Sequence, residues 1–258
     1  MSFALLEGKK GIILGVANQR SIAWAITQAC SAAGATLAFN YLNDKLKPRV
    51  EELVATLPGE SPVYECDVTK DEHLESLAEN LKRDFGSLNF IVHSVAFAMK
   101  EDLEGKFVNT SRDGFKLALD ISSFSLTAVT RALLPLMENG GSVMTMSYLG
   151  GERAVQNYNV MGVAKAALES SVRYLAQDLG GKQIRVNAIS AGPVNTLAAR
   201  GISGFTDMLK YAASKAPLQR NVELEEVGNT ALFLASDLSS GITGQTIYVD
   251  CGYNIVGM

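Results

Sequence analysis

Short apolar runs alternate with longer amphipathic segments along the whole chain. Most of the runs lack the strict apolar–polar alternation of a half-exposed strand, and a continuous apolar run bounded by glycine or polar residues is typical of a strand buried on both faces. The chain contains seven such runs, at residues 11–16, 35–41, 61–69, 88–96, 142–146, 183–190 and 244–250.

The segments between these runs carry a helical period. Residues 71–85 place Leu74, Leu77 and Leu81 on one face, and residues 114–137 form the longest such segment before the fifth run. Repeated alternation of strand and helix predicts parallel strands joined by crossover helices. We therefore predict an α/β fold, a Rossmann-like doubly wound sheet of seven parallel strands with helices on both faces, formed as a single domain by residues 1–258.

Composition narrows the class of protein. The chain has 258 residues, of which 47% are hydrophobic and 19% charged, so it can bury a large core without disulfide bonds or structural metal ions. Its net charge is −4 and its basic residues are scattered, which argues against nucleic acid as a partner. No run approaches the ~18 apolar residues of a membrane helix, which predicts a soluble protein without a membrane partner.

Cysteine spacing bears on metals and compartment. Cys30, Cys66 and Cys251 are widely separated and have no histidine nearby, so we expect neither a metal site nor a disulfide framework. A reducing compartment fits this pattern. We expect a cytoplasmic protein, or one of an organelle stroma if a leader has been removed.

The first strand leads into a turn suited to phosphate. The apolar run ends near Gly15, and Ser21 is a plausible N-cap for the helix that follows. A helix N-terminus offers free N–H groups and partial positive charge, which favour a pyrophosphate. The match to G-x-G-x-x-G is poor, because Ala17 and Ser21 stand where glycines are expected, and such turns also occur in doubly wound folds without a ligand.

The end of the second strand bears on cofactor choice. A carboxylate there pairs with the ribose of NAD and a basic group accommodates the phosphate of NADP, but this strand ends at Leu42 with neither. Lys45 and Lys47 follow shortly after and leave the choice open. Asp44 would repel a ribose phosphate and no arginine fork is present, so we predict NADH over NADPH.

Two further polar residues close strands. Asp67 ends the third strand, where it can accept a hydrogen bond from an adenine amino group, cap the following helix, or do both. His93 lies in the fourth strand; a lone histidine in an apolar strand is more often hydrogen-bonded structure than a catalytic base.

The strongest candidate chemistry lies between residues 147 and 165. Tyr158 and Lys165 are seven positions apart on one predicted helix, a rotation of about 700°, so they share a face. Their rise of about 10 Å leaves room for a ligand hydroxyl between them. Tyr148 follows the fifth strand, at the carboxyl edge where open α/β sheets bind ligands. The alternative is a surface Tyr/Lys pair on an amphipathic helix.

Residues 194–217 form a long, weakly helical segment after the sixth strand. Gly201 and Gly204 are candidate hinges among apolar residues, so the segment is a candidate cover for a substrate. The alternative is a surface helix pair that does not move.

These motifs resemble those of the short-chain dehydrogenase/reductase superfamily, and within it of the bacterial and plastid enoyl-[acyl-carrier-protein] reductases. The similarity covers nearly the whole chain. Most members of the superfamily carry Y-x-x-x-K, whereas here Gly162 takes that lysine position and Lys165 follows, which marks the enoyl reductase branch. The most specific of the matching sequence motifs are Cys66-Asp67-Val68, His93-Ser94, Asp120-Ile121-Ser122-Ser123, Ser147-Tyr148-Leu149-Gly150, Tyr158-Asn159-Val160-Met161-Gly162 and Ala191-Gly192-Pro193.

The resemblance implies a function and a set of site residues. It implies reduction of enoyl-[acyl-carrier-protein] thioesters with NADH at the end of the fatty acid elongation cycle, acyl-carrier protein as partner, and a homotetramer. Tyr148, Tyr158 and Lys165 would be catalytic, and Ala98 would touch the acyl substrate. The cofactor contacts it implies are Gly15, Ser21, Ile22, Leu42, Asp67, Val68, Val95, Lys165, Val194, Asn195, Thr196, Leu197 and Ala198.

In this chemistry hydride reaches the β carbon and negative charge develops on the thioester oxygen. We expect Tyr158 to donate to that oxygen and Lys165 to lower the pKa of the phenol.

Two other functions fit the same fold. A ketoacyl reductase would use a serine at the end of the fifth strand and a close Y-x-x-x-K, where this chain has Tyr148 and a longer spacing. A non-catalytic dinucleotide-sensing protein would share the fold but not need the Tyr/Tyr/Lys set.

Overall fold

The computed structural model describes residues 4–196, 199 and 204–257. In this part of the chain seven strands form one sheet, and every neighbouring pair is parallel. The strands are β1 Lys10–Leu14, β2 Thr36–Tyr41, β3 Val63–Glu65, β4 Phe90–His93, β5 Gly141–Ser147, β6 Ile184–Ala191 and β7 Thr246–Val249. Their spatial order is β3-β2-β1-β4-β5-β6-β7. The predicted seven-stranded parallel sheet is confirmed.

Helices cover both faces of this sheet. They are α1 Ile22–Ala32, α2 Lys47–Val54, α3 Asp71–Asp84, α4 Arg112–Leu119, α5 Ser125–Leu133, α6 Asn159–Leu179, α7 Phe205–Lys215 and α8 Leu224–Ala235. Successive side chains of β1 point to opposite faces, so Ile13 joins the core under α1 and α8, whereas Ile12 and Leu14 join the core under α3, α5 and α6. Both faces are buried, which explains the continuous apolar runs.

The predicted helix over residues 114–137 is interrupted. A π-helical turn, Asp120–Phe124, separates α4 from α5, and the last turn is 3-10. Small hydroxyl side chains cause the break: Ser125 Oγ donates to the carbonyl of Ile121 at 2.5 Å, and Ser122 Oγ accepts from the amide of Phe97 at 2.9 Å. The interruption therefore ties this helix to the loop after β4.

The same stretch bears on the membrane question. Arg112–Leu136 is, among the described residues, the one helix with the length and composition to cross a membrane. Half of its most apolar window is buried inside the domain, where α5 packs between α3 and α6. Its apolar character is thus used in the core.

Several strands end earlier than the sequence predicts. β1 stops at Leu14, β3 at Glu65 and β4 at His93, two to four residues before the ends of the predicted runs. The residues beyond them leave the sheet to form its carboxyl-edge loops. The strand order reverses between β1 and β4, and ligands of open α/β sheets bind in the crevice beside such a reversal.

Candidate active site

The turn after β1 requires glycine at position 15. Gly15 has φ +93°, and a Cβ there would lie 2.1 Å from the carbonyl oxygen of Ser94 in the neighbouring loop. Its amide donates to Asn40 Oδ1 at 3.0 Å, and Asn40 Nδ2 donates to the Cys66 carbonyl at 3.0 Å. The turn is therefore tied to β2 and, through Asn40, to the residue that follows β3.

Ser21 caps α1 as predicted. Its Oγ accepts from the amide of Trp24 at 3.2 Å and donates to the carbonyl of Asn18 at 2.8 Å. Ile22 is the first residue of the helix. The Gly15 turn and this N-terminus lie side by side, an arrangement suited to a pyrophosphate.

The carboxyl ends of β2 and β3 form the outer part of the crevice. Leu42 follows β2 and is 47% exposed. Asp67 does not cap α3, so that interpretation is wrong: the N-cap residue is Lys70, and Asp67 Oδ1 instead accepts from the amide and hydroxyl of Thr69. These bonds order the turn that carries Asp67 and the buried Val68.

Tyr148 and Tyr158 meet at the carboxyl end of β5. Their rings are edge to face, with centroids 4.9 Å apart and planes at 69°. Around them the structure gathers a small apolar cluster that includes Ala98, Met161 and Leu103. The two tyrosines and Ala98, predicted as substrate contact, are therefore brought into one cluster.

Burial keeps both phenols protonated. It raises the pKa of Tyr158 well above its usual range, with a smaller contribution from Tyr148. It raises the pKa of Tyr148 to about 12, with help from Tyr253. The expectation that Lys165 lowers the pKa of Tyr158 is wrong for this structure, because loss of solvent dominates. A protonated phenol is what a hydrogen-bond donor requires.

Lys165 lies buried on α6 behind the tyrosines. Its Nζ donates to the carbonyl of Met146 in β5 at 2.7 Å, which fixes the stem and leaves two ammonium donors for other partners. Burial lowers the pKa of this ammonium to about 8, and Glu169 opposes the shift. Lys165 therefore titrates near the physiological range.

The backbone around Tyr158 is a feature that the sequence analysis missed. Asn157 and Asn159 both have left-handed φ values, 60° and 35°, so Tyr158 stands between two unusual backbone positions. Asn159 Nδ2 donates to the carbonyls of Glu104 and Gly105 at 3.4 and 3.3 Å. Asparagine adopts the left-handed conformation more readily than most non-glycine residues. The sequence Asn157-Tyr158-Asn159 could therefore have indicated the unusual backbone on both sides of the tyrosine.

His93 is a structural residue, as predicted. It has no exposed surface, and its Nδ1 and Nε2 lie 2.9 Å from Thr145 Oγ1 and 2.8 Å from Ser125 Oγ. Burial, and then the charge of Lys165, lower its pKa to about 3. A neutral imidazole here joins β4, β5 and α5.

The part of the segment after β6 that the structure describes contains a regular helix, α7, which the sequence predicted only as weakly helical. Val194 is buried and its carbonyl accepts from the amide of Thr196 at 2.7 Å, with Asn195 between them. Leu197, Ala198 and Gly201 lie outside the described residues. Farther along, α7 places Met208 Sδ 3.3 Å from the Tyr148 hydroxyl, which donates to it. This helix therefore lies against Tyr148.

The remaining predicted site residue, Val95, follows β4 and is half-buried against the core under α5.

The sequence predicted that no metal site would be present, and such a site would need a cluster of ligating side chains. Across 4–196 and 204–257 no group of three or more His, Cys, Asp and Glu side chains is placed to hold an ion. The three cysteines are buried and free.

The chain matches the sequence model of a family described as enoyl-(acyl carrier protein) reductase over residues 15–254. It is 55% identical over 254 residues to the enoyl-[acyl-carrier-protein] reductase [NADH] FabI of Bacillus cereus, covering 98% of this chain and 99% of that protein.

Solved structures agree. The Bacillus cereus enoyl-acyl carrier protein reductase with NADP+ and indole naphthyridinone superposes with a TM-score of 0.97 at 54% identity, over 98% of this chain and 99% of that chain. The reductase of Anaplasma phagocytophilum in complex with NAD superposes with a TM-score of 0.94 at 49% identity, over 98% and 95%.

Proposed function

The chain belongs to the enoyl-[acyl-carrier-protein] reductase family, and from that premise we propose that Tyr148, Tyr158 and Lys165 carry out its reaction. The reaction reduces the carbon–carbon double bond of enoyl-[acyl-carrier-protein] thioesters with NADH, the last step of the fatty acid elongation cycle. One observation carries the assignment of residues: the buried Tyr158 meets the half-buried Tyr148 edge to face beside Ala98, and Lys165 lies on the same helix as Met161.

The residues present fit a dinucleotide. The glycine turn at Gly15 precedes the N-terminus of α1, where free backbone N–H groups suit a pyrophosphate, and Lys165 keeps two donors for ribose hydroxyls. When bound, the nicotinamide supplies the hydride. We assign the further contacts with the dinucleotide to Ser21, Ile22, Leu42, Asp67, Val68, Val95, Val194, Asn195, Thr196, Leu197 and Ala198.

The chain's own residues stabilise the charge that develops on the substrate. Tyr158 donates its phenolic proton in a hydrogen bond to the thioester oxygen as enolate character grows, and burial holds that phenol in its donor form. Lys165 holds the ribose hydroxyls. Tyr148 packs against the ring of Tyr158 and shapes the acyl pocket with Ala98. Helix α7, which lies within residues 194–217, covers this pocket at the Tyr148 hydroxyl.

A substrate assay tests the function. Purified protein is mixed with crotonyl thioester and either NADH or NADPH, and oxidation of the nucleotide is followed at saturating thioester. We expect rapid turnover with NADH. Turnover with acetoacetyl thioester instead would indicate a ketoacyl reductase, and binding of nucleotide without turnover of either thioester would indicate a sensing protein.

The carrier of the enoyl chain follows from the family, so acyl-carrier protein is the macromolecular substrate. A homotetramer is part of the proposal, supported by exposed aromatic residues on α4, on the π-helical turn after it and on α6, namely Phe115, Phe124 and Tyr174. Sedimentation velocity tests it, and a monomer at micromolar concentration would contradict it. A cytoplasmic location is supported by the bacterial origin of the relatives.

A further inference from the structure

Glu169 is a buried carboxylate beside the site that the mechanism above does not use. It is 6% exposed, and Ser147 Oγ donates to its Oε1 at 2.5 Å. Gly151 approaches it from the turn after β5, since a Cβ at that position would lie 3.2 Å from the same oxygen. A buried carboxylate costs desolvation free energy unless charges and hydrogen bonds compensate for it, so this one requires a physical reason.

The end of β5 holds this carboxylate next to the lysine. Lys165 and Glu169 are four residues apart on α6 and therefore share one face. The carbonyl of Met146 accepts from the Lys165 ammonium at 2.7 Å, and the hydroxyl of the next residue, Ser147, donates to Glu169. Consecutive residues of one strand thus hold a cation and an anion that lie one turn apart on the same face of α6.

We infer that Glu169 is a positioning residue, which keeps the Lys165 ammonium charged and directed toward the ribose of the cofactor. The inference rests on the proposed role of Lys165 in holding that ribose. The Glu169 carboxylate lies against Ser147 and Gly151. We therefore assign it no contact with cofactor or substrate of its own, and it acts through Lys165.

The electrostatics support this role. Burial favours the neutral amine of Lys165, whereas the charge of Glu169 favours the ammonium. Burial also raises the pKa of the Glu169 carboxyl, and the Ser147 hydrogen bond opposes that. Among the described residues, the titratable and charged groups that interact with this pair from neighbouring positions are His93 on β4, Arg173 on α6, Glu152 in the turn after β5 and Tyr248 on β7.

A purely structural role is the competing interpretation. On that view Glu169 only anchors α6 to β5 through Ser147, and its loss lowers the melting temperature without changing how Lys165 titrates. The two interpretations differ in the pH dependence of cofactor binding. A neutral amine binds ribose hydroxyls more weakly than an ammonium, so NADH affinity falls as pH rises through the pKa of Lys165.

The test is the dissociation constant of NADH, measured by fluorescence between pH 6 and pH 10 in the full chain. Glu169→Gln keeps the shape and the acceptor for Ser147 but removes the charge. We expect its midpoint to move to lower pH by about one unit relative to the wild type. Glu152→Gln is the matched control, because its side chain is exposed and bonds Tyr248; it should keep the wild-type midpoint.

If Glu169→Gln has the same pH midpoint of NADH binding as the wild type, the role of Glu169 is contradicted, while the role of Lys165 is not. A wild-type affinity that does not change with pH would contradict the role of Lys165 itself, and the inference with it. Equal shifts in both variants would also overturn the inference, since they would show a general charge effect. If Glu169→Gln does not fold, Glu169→Asp takes its place: the shorter carboxylate should move the midpoint in the same direction by a smaller amount, and no movement would overturn the inference.

Discussion

Tyr158 meets Tyr148 edge to face although the two residues belong to different elements: Tyr148 follows β5, and Tyr158 precedes α6. Their 4.9 Å separation therefore depends on the turn between them. The left-handed backbone of Asn157 and Asn159 sets the direction in which Tyr158 leaves that turn. Two phenols with distinct surroundings result: that of Tyr158 is buried, and that of Tyr148 is half-buried against α7.

Lys165→Ala should weaken NADH binding as well as turnover. The ammonium is anchored by the Met146 carbonyl and holds the ribose through its remaining donors, so its loss removes charge-assisted hydrogen bonds. We expect the dissociation constant of NADH to rise by about 10- to 100-fold. Fluorescence titration measures it, and an unchanged constant would remove Lys165 from the cofactor site.

The chain should prefer NADH over NADPH by about tenfold or more in kcat/KM, because Asp44 repels a ribose phosphate. Lys47 does not offset this, since its ammonium lies 3.9 Å from Glu51 and 5.5 Å above the ring of Tyr41. Steady-state kinetics with both cofactors give the ratio. Asp44→Ala should narrow the preference, and a tenfold preference of the wild type for NADPH would contradict the assignment.

Helix α7 should gain protection from amide exchange when NADH and a saturated acyl thioester are both bound. The Tyr148 hydroxyl bonds to Met208 on this helix, so a ligand in the tyrosine pocket lies beneath it. Hydrogen exchange with mass spectrometry measures this, with α3 as the distant reference. Equal protection of α7 with and without ligands would favour the rigid interpretation.

His93 should make the fold sensitive to acid. Its folded-state pKa of about 3 lies below the unfolded value of 6.5, so its contribution is present above pH 6.5 and is lost as pH falls toward 3. Between pH 7 and pH 4 this amounts to about 3 kcal/mol of the free energy of unfolding. Urea unfolding measures the free energy of unfolding at pH 7 and at pH 4. The decrease between these pH values should be smaller in His93→Gln than in the wild type by that amount, and an equal decrease in both proteins would exclude His93 as the cause.

The sequence predicted the sheet, the helical layers and the Tyr148, Tyr158 and Lys165 set, because period and spacing are local properties of the chain. The π-helical turn at Asp120–Phe124 was not predicted, since it depends on hydrogen bonds between Ser122 and Phe97, 25 residues apart.

The pKa shifts of the site residues could not be predicted from the sequence either, because they depend on burial by residues that are distant in the chain. The chemistry implied by the resemblance suggested that Lys165 lowers the pKa of the Tyr158 phenol, whereas burial by surrounding elements decides the protonation of both groups. Glu169 drew no attention in the sequence, because a glutamate in an amphipathic helix is ordinarily exposed; only its bond to Ser147 shows that it faces inward.

The most direct test of the account is single-turnover oxidation of NADH by crotonyl thioester in the wild type and in Tyr158→Phe. The variant keeps the ring and its contact with Tyr148 but lacks the donor to the thioester oxygen. We expect the rate of hydride transfer to fall by about 10- to 1000-fold while the dissociation constant of NADH stays unchanged. Hydride transfer at the wild-type rate in Tyr158→Phe would contradict the mechanism.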